Sequence, residues 1–235
     1  MSDTSLRALL GRVRRMLRNR FYIVMGMRGT APVNPGFGAD RGTPVDRYYI
    51  ARFLETNRAL ITGRVLEIGD RGYTERFGAG VTQSDVLNAI DAPGVTYVGD
   101  LTACPKIPDG TYDCIVLTQV LHYIYDMRAA VAELRRILAP GGTVLCTVPG
   151  ITQVSRYDME RWGDRWRLTS QSAAELFGTA FEQASVDIAT YGNAFSAVCL
   201  MQAIPSDRLS RRKLDRWEPD YQVIVAVAAR KDARG

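Results

Sequence analysis

Histidine is nearly missing from this chain of 235 residues, with His122 the only one, and cysteine is sparse. Cys104, Cys114, Cys146 and Cys199 are widely and irregularly spaced and form no pair at CxxC spacing. These shortages argue against a zinc site, whose ligands come as clustered thiolates and imidazoles, and against a disulfide framework. No metal is expected. No uninterrupted apolar run approaches the ~20 residues that span a bilayer, and the N-terminus lacks the apolar core and small-residue cleavage site of a signal peptide. The expected compartment is the cytoplasm.

What is present is the composition of a soluble globular protein, 46% hydrophobic and 23% charged, with enough chain for one sizeable core. Charge is unevenly placed. Residues 1–30 hold seven arginines against Asp3 alone, a net +6, so the remaining residues carry −1 of the overall +5. The pI of about 9.1 therefore describes an arm rather than the body. Leu6, Leu9, Leu10, Val13 and Leu17 recur at helical spacing among those arginines, which predicts a basic amphipathic helix over residues 4–19. Such a helix suits an anionic membrane surface, a nucleic acid, a partner subunit or its own domain. Residues 28–43, rich in glycine and proline, read as a linker or lid. The expected organisation is an arm and linker over 1–43 and one domain over 44–235.

Thr43-Pro44 opens a helix whose buried stripe is Val45, Tyr49, Ile50, Phe53 and Leu54. Arg64 to Gly72 then reads as a buried strand entering a glycine turn, with Val65, Leu66 and Ile68 apolar and Gly69 and Gly72 permitting a tight bend. Glu67 at the mouth of such a strand is costly without donors, so it asks for a ligand carrying hydroxyl or amino groups. VTQSDVL predicts a second strand ending at Asp85, placed to accept from ribose hydroxyls. Further strands are expected over 95–101, 113–118, 143–148, 185–190 and 221–229, with helices over 127–138 and 172–177. The apolar run 194–204 is helix-like, and the charged segment 206–220 reads as surface. Strands alternating with helices predict an α/β, doubly wound sheet with its ligand at the carboxyl ends.

The turn Glu67-Ile68-Gly69-Asp70-Arg71-Gly72 resembles motif I of the class I S-adenosylmethionine-dependent methyltransferases, although Arg71 and Tyr73 fill two of its glycine positions. The run "GDL", then "YDCIVLTQVLHYIYD", then "LRRILAPGGTVLCTVPG" resembles the motifs that follow in that family. The resemblance implies a Rossmann-like sheet of about seven strands with the last strand antiparallel, and S-adenosylmethionine as cofactor. Carried onto this sequence, it implies a cofactor shell of Glu67, Gly69, Asp70, Arg71, Asp85, Asp100, Leu101 and Gln119. "DRYYI" through "SRYDMERWGDRWR" is similar to bacterial members associated with glycan or glycosylated-metabolite assembly, which implies a small polar acceptor.

The segment Arg156 to Arg167 concentrates two of the three tryptophans with four arginines and three acids. Aromatic faces beside guanidinium forks suit a sugar ring with an anionic group, and a self-paired surface loop is the other reading. Arg156, Tyr157, Trp162 and Trp166 are the expected acceptor contacts. His122, just after the fourth strand, is the candidate general base, a histidine packed at a helix N-terminus is the competing reading, and Asp158 and Asp164 are the alternative bases. O-methylation of a small polar acceptor is the main expectation. A catalytically silent binding module and an RNA-modifying enzyme are its rivals, the neutral body weighing against nucleic acid. A homodimer is left open.

Overall fold

The computed structural model describes Leu17, residues 29–33 and residues 36–233. The arginine-rich helix expected over residues 4–19 lies outside the described residues apart from Leu17. The described residues of the linker are mostly bends and turns.

Seven strands form one sheet: β1 (Gly63–Ile68), β2 (Val81–Asn88), β3 (Tyr97–Val98), β4 (Tyr112–Thr118), β5 (Leu138–Pro149), β6 (Val186–Tyr191) and β7 (Ile224–Arg230). Among the described residues the helices are α1 (Val45–Thr56), α2 (Gly72–Phe77), α3 (Met127–Ile137), α4 (Arg156–Arg161), α5 (Ser170–Phe177), α6 (Ala194–Met201) and α7 (Arg211–Leu214). The strand order is β3-β2-β1-β4-β5-β7-β6. β1 to β5 pair in parallel, while β7 inserts antiparallel between β5 and β6. This is the α/β sheet, antiparallel at its last strand, that the sequence implied.

Alternation along each strand sorts its side chains between two faces. Leu66, Ile115, Leu117, Val144 and Cys146 meet Val131, Leu134 and Ile137 of α3 and Ala173 and Phe177 of α5. Val65, Cys114, Val116 and Leu145 point the other way, under Ile50, Phe53 and Leu54 of α1 and Phe77 of α2. The expected stripe of α1, Val45 to Leu54, is buried throughout. A sheet covered on both faces leaves polar side chains little room except at strand ends.

The chain forms two compact units. One comprises Tyr49–Tyr191 with Gln222–Gly235 and contains the whole sheet; the other comprises Gly192–Tyr221 with the described residues up to Tyr48. In the smaller unit Asn193 and Ser196 exchange capping hydrogen bonds of 2.9 Å at the start of α6. The Tyr48 hydroxyl donates to Asp215 at 2.6 Å. Part of the segment expected as plain surface thus folds, as α7, with Leu214 buried.

Three expectations are corrected. β2 runs to Asn88, three residues past Asp85, because Asp85 finds buried partners and does not end the strand. β3 shrinks to Tyr97–Val98. β5 begins at Leu138 and carries Pro140-Gly141-Gly142 as a bulge, Tyr112 pairing with Leu138 but Cys114 with Thr143. Glycine is required there, since a Cβ on Gly142 would lie 2.8 Å from the Tyr112 carbonyl oxygen. Among the described residues, no helix is long and apolar enough to cross a membrane.

Leu134 is fully buried between α3 and the sheet. Leu134→Ala is expected to cost about 2–5 kcal/mol of stability in urea titration; a loss well under 1 kcal/mol would mean that this face is not close-packed.

Candidate active site

The strand order reverses direction between β1 and β4, so the loops leaving their carboxyl ends diverge and open a crevice, the usual ligand site of open α/β sheets. β1 delivers Gly69 to that edge with φ +103°, a conformation side chains rarely adopt. An added Cβ there would meet nothing within 4 Å, so the turn faces open space. Its shape is fixed from three sides. Gly69 N–H donates to Leu87 O at 2.9 Å, the Asp70 carboxylate accepts Gly72 N–H at 2.8 Å, and Arg71 Nη2 donates to Gly94 O at 2.7 Å.

Two of the expected ligand carboxylates carry hydrogen bonds within the chain. Glu67, 2% exposed, accepts N–H bonds from Tyr73 (3.1 Å) and Thr74 (2.7 Å), so the start of α2 supplies it with donors from within the chain. Burial pushes its carboxyl above the ordinary 4.5 in spite of those bonds. Asp85 lies inside the sheet opposite Leu66 and accepts from the Tyr112 hydroxyl (3.0 Å) and the Gln83 amide (2.9 Å). The residue at the carboxyl end of β2 is Asn88, which the sequence reading missed. Its Nδ2 donates to Gly69 O at 3.1 Å. The signal available was two-sided burial, which makes a mid-strand charge a poor strand terminator.

Asp100 lies just past β3, its Oδ1 accepting Thr102 N–H at 2.8 Å, while Leu101 packs into the core at 4% exposure. Gln119 follows β4 with φ +54°, its N–H bonded to Thr147 O at 2.9 Å. Gly69, Asn88, Asp100 and Gln119 thus stand at the carboxyl ends of four adjacent strands.

His122 occupies a single helical turn after β4 and is 4% exposed. Its carbonyl accepts both Arg165 N–H and Trp166 N–H at 3.2 Å, and Trp166 Nε1 donates to Ile124 O at 3.1 Å. The arginine-rich segment is therefore laced to the end of β4. Asp164, with a side chain 2% exposed, accepts Ser155 N–H at 2.9 Å and Arg167 Nη2 at 2.8 Å. Burial alone would raise its carboxyl, but Arg167, the Ser155 amide and neighbouring His122 hold it below the usual range. Arg156 and Tyr157 are exposed on α4, with the Arg161 guanidinium 3.5 Å from the Tyr157 ring, and Asp158 and Trp162 are half-buried. Trp166 is half-covered, its ring 5.8 Å from Tyr125. The α1 tyrosine Tyr49 is buried and stacks on Tyr191 at 5.9 Å.

A family model described as a methyltransferase domain matches residues 45–177, more than half of the chain. The chain belongs to that family. Its fold is that of the class I S-adenosylmethionine-dependent methyltransferases. A structure of an S-adenosylmethionine-dependent methyltransferase from Archaeoglobus fulgidus superposes with a TM-score of 0.51 at 12% identity, over 79% of this chain and 94% of that one. An uncharacterized methyltransferase of Schizosaccharomyces pombe is 38% identical over 72 residues, and the ubiquinone/menaquinone biosynthesis C-methyltransferase of a Caulobacter strain is 37% identical over 73. Each alignment covers 31% of this chain and 26% of the relative, so the chain spans about a quarter of the curated relatives it matches.

The family's cofactor is S-adenosylmethionine, and the methyltransferase's own residues fit it. The space over Gly69 leaves room at the turn, and Asn88, Asp100 and Gln119 offer amide and carboxylate groups along the same edge. Among the described residues no cluster of three or more His, Cys, Asp or Glu forms a metal site.

Asp85→Ala is expected to lower stability by about 1–3 kcal/mol, by stranding the Tyr112 hydroxyl, while leaving S-adenosylhomocysteine affinity unchanged. Asn88→Ala is expected to do the reverse. Paired urea and calorimetric titrations decide, and lost affinity in folded Asp85→Ala would return that carboxylate to the ligand shell. Glu67 carries a sign of its own. Its folded carboxyl titrates above the unfolded one, so its contribution is fully present below 4.5 and is lost as pH rises through the raised folded value. Wild type should therefore lose stability relative to Glu67→Gln across that window in urea titrations at stepped pH; the opposite slope would show that the two N–H bonds outweigh burial.

Proposed function

We propose that this methyltransferase O-methylates a small polar acceptor, a sugar or glycosylated metabolite. The carrying observation is the edge itself: an open glycine turn and three polar residues at four neighbouring strand ends, with a laced aromatic and arginine segment beside them. When bound, S-adenosylmethionine supplies a methyl group on a sulfonium whose leaving group needs no protein help. What remains for the chain is to orient an acceptor, exclude water and accept a proton.

In this reading Gly69, Asp70, Asn88, Asp100 and Gln119 hold the nucleoside and amino-acid ends, and His122 takes the acceptor's proton. His122 suits that task because its backbone is pinned by Arg165 and Trp166 just after the end of β4. Asp164 itself is committed to Arg167 and Ser155, which leaves Asp158 as the other candidate base. Arg156, Tyr157, Trp162 and Trp166 form the acceptor's wall, with Trp166 held by its indole N–H bond to Ile124 O. The arginine-rich arm within residues 1–43 suits an anionic membrane surface on the cytoplasmic side. A silent binding module is the second reading, favoured by Arg71 and Tyr73 at positions where family members carry glycine.

Calorimetry is expected to give binding of S-adenosylmethionine and S-adenosylhomocysteine and none of NAD; the reverse pattern would sink the cofactor assignment. Transfer of labelled methyl groups to a panel of sugars and glycosylated metabolites tests the acceptor, and binding without transfer to any member favours the silent module. His122→Ala should lower kcat by about 10²–10⁴-fold with both binding constants kept, and should flatten the acidic limb of the wild-type pH profile. Full turnover in that variant transfers the role to Asp158.

A further inference from the structure

Arg71 stands where a glycine would leave the turn bare, and its guanidinium crosses to another segment. Arg71 Nη2 donates to the Gly94 carbonyl at 2.7 Å, a contact between residues 23 apart in the chain. Gly94 has φ +88°, and a Cβ built on it would lie 3.7 Å from Arg71 Nη2, so the loop turns directly beneath the guanidinium. The other hydrogen bonds of residues 89–95 are local: Val95 N–H to Ala92 O at 3.1 Å, and Ile90 N–H to its neighbour Asn88 Oδ1 at 3.4 Å. The loop leaves Asn88, itself bonded to Gly69 O, and returns as β3 just before Asp100. In open α/β sheets the end of the second strand is where ribose hydroxyls are met. The position of this loop therefore sets the nucleoside end of the site.

We propose that Arg71 is a positioning residue for that end: it clasps the β2–β3 loop to the glycine turn, so that Gly69, Asn88 and Asp100 are held in one arrangement before a nucleoside arrives. The inference rests on the cofactor reading above. It differs from a direct role, in which a guanidinium on the glycine turn would reach the cofactor's carboxylate. A charge-assisted bond to a carbonyl replaces the backbone flexibility that a second glycine would bring, and ordering the loop beforehand removes part of the entropy lost on binding.

The test uses the full chain with Arg71→Met and, as a second variant, Arg71→Gln, both at a partly exposed position that the core does not depend on. Calorimetry measures S-adenosylhomocysteine and 5′-methylthioadenosine, which lacks the amino-acid end, and hydrogen exchange follows the amides of residues 89–95 without ligand. A clasp predicts that both dissociation constants rise by the same factor, about three- to tenfold, and that exchange in the loop accelerates. A loss confined to S-adenosylhomocysteine would overturn it in favour of a carboxylate contact. Unchanged exchange, or unchanged affinity for both ligands, would overturn it outright. If the wild type binds neither nucleoside, the cofactor reading itself fails, whereas wild-type binding with unaltered variants fails the clasp alone.

Discussion

The parallel pairing of β1 with β4 is the contact on which the rest of this structure depends. Val65 lies opposite Cys114, Leu66 opposite Ile115 and Glu67 opposite Val116. Because later strands are added outward from this pair in opposite directions, the loops after Ile68 and Thr118 separate, and a crevice exists without any specialised residue to create it. Both faces of the pair are covered, by α3 and α5 on one side and by α1 and α2 on the other. Polar chemistry is consequently driven to the strand ends. Burial of the central strands and placement of the site are two results of one topology.

Burial also decides which carboxylates remain available to a ligand. A buried carboxylate without donors costs several kcal/mol, and the chain supplies donors to three of its own. Glu67 is met by the amides of Tyr73 and Thr74, Asp85 by Tyr112 and Gln83, and Asp164 by Arg167 and Ser155. Asp100 uses one oxygen on Thr102 and stands exposed at the edge. The first three are thus met within the chain, while Asp100 keeps a carboxylate exposed at the strand ends. The carboxyl edge of the sheet is thus less negative than the sequence, with Glu67, Asp85 and Asp100 spaced along it, suggests.

The same economy explains the arginine-rich segment after β5. Arg167 is spent on Asp164 and the Gln153 carbonyl, and the Arg165 guanidinium on the carbonyls of Tyr123 and Trp162. These bonds tie the segment to the turn bearing His122. Arg156 and Tyr157 stay exposed on α4, free of that lacing.

Sequence alone determined the class of fold and the strand ends that carry the candidate site. Hydrophobic runs, turn residues and their order placed β1, β4, α3 and α5 within a few residues, and Gly69 and Gln119 were rightly located at strand ends. Those features are local: periodicity, breakers and caps act over a handful of neighbours. Tertiary structure decided the rest. Whether Asp85 closes a strand or sits within it depends on Tyr112, 27 residues away, and whether Glu67 faces a ligand depends on how α2 docks its first turn. Arg71 read as a lost glycine until Gly94, 23 residues on, supplied its acceptor. Partners so distant in sequence leave no periodic trace, because nothing but the closed sheet brings them together.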